Sequence, residues 1–78
     1  MNDRASPLGQ AVRERREHLG LTQVELAELA SVSTRFVHTL ESGKPTVRLD
    51  KVLDVLAVLG LELQVARGRG SITAGASR

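Results

Sequence analysis

The chain contains no cysteine, no tryptophan and no tyrosine, and only one phenylalanine and one methionine. The lack of cysteine excludes disulfides and thiolate metal sites and suits a reducing cytoplasm, where the protein is expected to reside. With so little aromatic bulk, any core must be built from Leu, Val and Ala. A length of 78 residues allows one domain with a small, marginal core. Chains of this kind commonly gain burial by pairing with a second copy. The apolar runs fall far short of the ~20 residues that a membrane-spanning helix needs, so no membrane partner is expected. Residues 1–7 carry Asp3 and Arg4 and no apolar stretch, and they read as a polar N-terminal arm rather than a secretory leader. With two histidines and no thiol, no metal site is expected, and nothing in the chain implies a cofactor.

Charge says less than the pI of about 9.9 suggests. Of eleven Lys and Arg, four (Arg4, Arg67, Arg69 and Arg78) lie in the terminal segments, leaving seven between Leu8 and Ala66. Nine acidic residues, less Asp3, leave eight over the same stretch. The central region is therefore close to neutral, and bulk charge does not argue for a polyanionic partner. The placement of individual charges has to carry that argument.

Helix signals follow one another along the chain. Ser6-Pro7 suits a cap followed by Pro at the first helical position. Leu8, Val12, Arg16 and Leu19 then form one stripe, and Gly20 ends the helix. Arg16 is a cation on an apolar stripe and requires a partner. Thr22 and Glu25 form a capping box for a second helix, whose apolar contacts come from Val24, Leu26, Ala27, Leu29 and Ala30. Helicity breaks at Ser31-Val32, and Ser33 caps a third helix spanning Thr34 to Ser42, with Val37 and Leu40 inward and Gly43 closing it. A fourth helix is expected from Val47 to Leu59, capped by Thr46 and stopped by Gly60. Its stripe is Leu49, Val52, Leu53, Leu56 and Leu59. Val55 and Val58 lie off that stripe, where they serve either packing under the termini or contact with a partner.

From Leu61 the period changes. Leu61, Leu63 and Val65 alternate with Glu62 and Gln64, the pattern of a half-buried strand over residues 61–67. A lone strand cannot satisfy its own backbone groups, so it must pair across a two-fold axis with a second copy, or else lie as an extended tail on the helices. Residues 68–78 are rich in Gly, Ser and Ala and read as a flexible tail. The chain thus divides into an arm (1–7), a helical domain (8–60), a dimerisation strand (61–67) and a tail (68–78).

The segment LGLTQVELAELASVSTRFVHTLESGK resembles the helix-turn-helix of the phage-repressor-like (XRE) family, and the match extends through PTVRLDKVLDVLAVLG. The combination of Thr22-Gln23, Leu26-Ala27, Val32-Ser33, Val37 and Leu40-Glu41-Ser42-Gly43-Lys44 at these spacings carries it. The resemblance implies an all-α, compact lambda-repressor-like domain with four main helices, to which the C-terminal strand is appended. It also implies that the third helix enters the major groove of double-stranded DNA while the second crosses the backbone.

Carried over residue by residue, the base-contact candidates are Ser33, Thr34, Arg35, His38 and Thr39. Arg35 leads, because its planar fork can donate twice to guanine, although a solvated or phosphate-bound role is the alternative. Gln23, Arg13, Lys44 and Arg48 are the phosphate-contact candidates. The family pattern pairs Arg16 with Glu41 as a structural ion pair, which would answer the cation on the first stripe. Ser31 departs from the usual Gly in the turn, where the backbone prefers positive φ. Glu41 with His38 lacks a nucleophile, metal or Gly-rich loop, so the chain is not expected to be an enzyme.

The appended LELQVARG is similar to the HipB-type antitoxins, homodimers that pair C-terminal strands, bind palindromic operators and hold a HipA-type kinase toxin inactive. By that resemblance Leu61, Leu63 and Val65 form a dimer interface, which Val55 and Val58, if not used in packing, would extend. A stand-alone repressor of the same fold and a protein-interaction module that no longer binds DNA are the alternatives.

Overall fold

The structure, a computed structural model, describes residues 6–44 and 46–68. Four helices follow in order: α1 (Pro7–His18), α2 (Gln23–Ala30), α3 (Thr34–Glu41) and α4 (Leu49–Leu59). Each of the first three begins where a short side chain can accept from the first free backbone N–H groups. Ser6 Oγ accepts from Leu8 N and Gly9 N at 3.0 and 3.2 Å, with Pro7 in the first helical position. Thr22 and Glu25 form the reciprocal capping box, at 3.0 and 2.8 Å. Ser33 Oγ accepts from Phe36 N at 2.9 Å.

Helix ends follow the same local logic. Gly20, Gly43 and Gly60 all take positive φ just past α1, α3 and α4. After α2 that conformation falls on Ser31, with φ 59° and ψ 41°, the left-handed region that a side chain adopts only at some cost. Val32 N then donates back to Ala27 O at 3.0 Å, closing the turn so that three residues separate α2 from α3.

The core is a single cluster: Val12 from α1, Leu26, Ala27 and Ala30 from α2, Val37 and Leu40 from α3, and Val52, Val55, Leu56 and Leu59 from α4. α2 packs against α3 and α4, and α1 against α3 and α4. Gly9 lets α1 approach the end of α3 closely. A Cβ at this position would sit 2.5 Å from Leu40 O, a backbone atom that cannot step aside. From α1, Arg15 Nε donates 3.0 Å to Leu59 O, one of the carbonyls that the end of α4 leaves free.

Several sequence expectations need correction. α4 begins at Leu49 rather than Val47, and its N-cap is Arg48, which makes no side-chain capping bond, not Thr46. The side chain of Arg48 turns instead to Asp50, whose carboxylate also accepts from Lys51 N at 2.9 Å. The buried face of α4 is Val52, Val55, Leu56 and Leu59, while Leu49 (59% exposed) and Leu53 face outward. Both stripes contain an i, i+3, i+4, i+7 row, so spacing does not separate them; packing against the other helices buries the second. Val55, placed above at a partner interface, is fully buried in the monomer core. Val58 is half-buried and packs against that core as well. Leu19, Val24 and Leu29 are likewise exposed rather than packed.

Residues 61–68 form no strand among the described residues. Leu61 and Leu63 pack against the helical core, whereas Val65 is 96% exposed. Glu62 and Gln64 are exposed and joined by a 3.0 Å hydrogen bond, so the in–out alternation holds from Leu61 to Gln64 and fails at Val65. A ladder needs a second strand, and the described residues contain none. The N-terminal arm through residue 5 and most of the tail, residues 69–78, lie outside the described residues. None of the described helices is long and apolar enough to cross a membrane.

Candidate nucleic-acid interface

α3 has one inward and one outward face. Val37 and Leu40 are buried, while Ser33, Thr34, Arg35 and His38 are exposed and Thr39 is half-buried. Thr34, Arg35 and His38 therefore lie together on the outward side, within the first two turns. Ser33 borders them, but its hydroxyl oxygen already accepts from Phe36 N as the cap. Arg35 has no ion-pair or hydrogen-bond partner among the described residues, which leaves its five donors available. Ser42 Oγ donates to Thr39 O at 2.8 Å and helps finish the helix.

Behind this face, the crossing of α1, α2 and α3 is held by one polar knot. Arg16 Nε donates 2.6 Å to Glu41 Oε2, and Arg16 Nη2 donates 3.0 Å to Glu41 Oε1, a two-pronged match of guanidinium to carboxylate. Arg16 Nη1 reaches the carbonyl of Leu21 at 2.7 Å, tying in the turn between α1 and α2. The two side chains retain only 11% and 5% of their exposure. The carboxylate hydrogen bond holds the Arg16 guanidinium still more firmly protonated, outweighing the opposing effect of burial. No buried side-chain polar atom among the described residues lacks a partner.

Gln23, at the first position of α2, joins the same knot. Its Nε2 donates 3.1 Å to Glu41 Oε1. Arg13, Arg16, Gln23, His38, Glu41 and Ser42 line an open cleft of about 270 Å³ between the three helices. Arg13 stands at its edge, well exposed, in an i,i+4 pair with Glu17 at 3.3 Å. Lys44 is exposed just past α3, and Arg48 is exposed and bound to Asp50 at 2.7 Å. The hydrogen bond from Arg48 holds the Asp50 carboxyl below the usual range. Such surface pairs are weak enough to exchange for a phosphate.

Three contributors were not evident in the sequence. Lys51 Nζ lies 6.0 Å from the centre of the Phe36 ring, which places a cation of α4 beside α3. Gly9 and the hydrogen bond from Gln23 to Glu41 depend on helices that are distant along the chain. A Lys three residues past the α4 cap and a Gly in the first turn of α1 were the only signals available.

The arrangement is matched among known proteins. The helix-turn-helix domain family matches residues 7–69. An uncharacterized HTH-type transcriptional regulator, y4mF, of Sinorhizobium fredii (strain NBRC 101917 / NGR234) is 45% identical over 58 residues, covering 74% of this chain and 76% of that protein. The restriction-modification controller protein C.AhdI from Aeromonas hydrophila superposes with a TM-score of 0.67 at 33% identity, over 74% of this chain and 88% of that one. SinR, a master regulator for biofilm formation solved in complex with DNA, superposes with a TM-score of 0.64 at 27% identity, over 70% and 89% of the two chains. On sequence and architecture together, the chain belongs to the phage-repressor-like helix-turn-helix family of transcriptional regulators.

Proposed function

We propose that this regulator is a sequence-specific repressor that binds a palindromic site in double-stranded DNA as a homodimer. The observation that carries this reading is the outward face of α3. Thr34, Arg35 and His38 are exposed together, on a helix whose crossing with α1 and α2 is fixed by the buried Arg16–Glu41 pair. Arg35 is the reader of a guanine edge, with Thr34 and Thr39 offering hydroxyl or methyl groups beside it. Gln23, Arg13, Lys44 and Arg48 take the backbone phosphates, which sets orientation without specifying sequence. Exposed Leu49, Leu53 and Val65 supply apolar surface for a second copy.

Two readings of its biological setting stand. The HipB-type antitoxin, self-repressing and paired with a HipA-type kinase toxin, is supported by the likeness of the LELQVARG sequence that follows α4. The stand-alone regulator is supported by relatives whose names describe regulators alone. Affinity purification from the native host separates them, since a co-eluting kinase favours the antitoxin and its repeated absence favours the stand-alone protein.

DNA binding is tested by selecting sites from a random duplex pool and titrating the winner across salt. A palindromic preference, with affinity falling steeply as salt rises, is the expected result. Arg35→Ala should cost about 1–3 kcal/mol of discrimination at one base pair per half-site. Selection that yields no preferred sequence refutes the reading.

A further inference from the structure

Glu41 is usually read as half of an ion pair, but its Oε1 does a second thing here: it accepts from Gln23 Nε2 at 3.1 Å. A carboxylate has only acceptors to offer, so the hydrogen bond settles which end of the Gln23 amide faces inward. The NH2 group must meet Glu41, because the opposite orientation would set two acceptors against each other. With one N–H committed, the planar amide directs its second N–H about 120° away. Gln23 lines the open cleft together with Arg13, His38 and Ser42. Arg16 meanwhile neutralises Glu41 through two hydrogen bonds, so the carboxylate does not repel an anion from that cleft.

We infer that Glu41 is a positioning residue for DNA binding, orienting the Gln23 amide so that a backbone phosphate seated in the cleft meets an N–H donor. The inference rests on the DNA-binding reading above. It assigns Glu41 two roles in one carboxylate, the helix crossing through Arg16 and the phosphate contact through Gln23.

The two roles separate in a double-mutant cycle on the full chain, using the duplex selected for the wild type. Arg16→Met with Glu41→Leu replaces the ion pair by apolar side chains and removes the orienting acceptor while keeping a filled core. Gln23→Ala should weaken binding about tenfold and equally on every duplex. The apolar pair should weaken binding by the same factor with its circular dichroism unchanged, and adding Gln23→Ala to it should cost nothing further. The inference is overturned if the apolar pair binds as tightly as wild type, or if Gln23→Ala costs tenfold in both backgrounds. Wild-type chain that binds no duplex removes the DNA-binding reading itself, which is a different outcome. A measurement on the wild type alone covers the case in which the apolar pair does not fold. In the side-chain amide spectrum of Gln23, one proton should move when duplex is added while the proton bonded to Glu41 stays in place. Equal movement of both, or of neither, overturns the inference.

Discussion

Replacing Glu41 by Ala tests how far one buried ion pair sustains this small fold. The variant leaves the guanidinium of Arg16, 11% exposed, with the Leu21 carbonyl as its remaining close acceptor. Glu17 is no substitute, because its carboxylate stands 4.0 Å away and half in solvent. Removing one member of a buried pair costs about 3–5 kcal/mol. The retained Leu21 contact and the residual exposure place the expected loss near the lower end, about 3 kcal/mol. A domain of this length has a total stability of roughly 4–12 kcal/mol. A loss of that size should lower the melting temperature by roughly 12–24 °C. Urea titration followed by far-ultraviolet circular dichroism measures it, with the Arg16→Met, Glu41→Leu double variant as the control. That control should lie within about 1 kcal/mol of wild type, since an apolar pair needs no charge compensation. If Glu41→Ala unfolds within about 0.5 kcal/mol of wild type, the pair does not hold the helices as argued.

Three further outcomes follow from local geometry. Gly9→Ala drives a methyl group toward Leu40 O, at 2.5 Å before any shift, and should cost about 1–3 kcal/mol in the same urea assay. Ser31→Gly removes the left-handed strain at φ 59° and, after the greater chain entropy of glycine is offset, should stabilise by about 0.5–1 kcal/mol. Carbon-detected titration of Asp50 should place its midpoint below the ordinary aspartate range, and Arg48→Ala should move it up. A depressed carboxyl favours the folded state above its unfolded pKa, and that contribution disappears as pH falls through the folded value. Because both partners are exposed, the titration midpoint should move while the melting temperature hardly changes.

What could be read from the sequence was local. Ser6-Pro7, the Thr22–Glu25 box and Ser33 placed three helix starts, because a cap is decided within four residues. The start of α4 was misplaced because Arg48 caps it with no side-chain bond at all. The inward face of α4 was misread for a different reason. Leu49, Val52, Leu53, Val55, Leu56, Val58 and Leu59 make the helix apolar on most sides, and periodicity cannot choose among overlapping stripes. Only packing against α1 and α2 selects Val52, Val55, Leu56 and Leu59 and leaves Leu49 and Leu53 outside. At the interface, the Arg16–Glu41 pair came from family likeness combined with a charge on an apolar stripe. The hydrogen bond from Gln23 and the hydrogen bond from Arg15 to Leu59 O are tertiary contacts between helices, with no sequence pattern of their own.

The most direct test of the central claim is a nuclear magnetic resonance titration of isotope-labelled chain with its selected duplex. Signals from Thr34, Arg35 and His38, and from Gln23 at the start of α2, should move as complex forms, while Val52 and Leu56 in the core should stay fixed. If the first turns of α3 remain unchanged at saturation, this helix does not read DNA and the proposed mechanism is wrong.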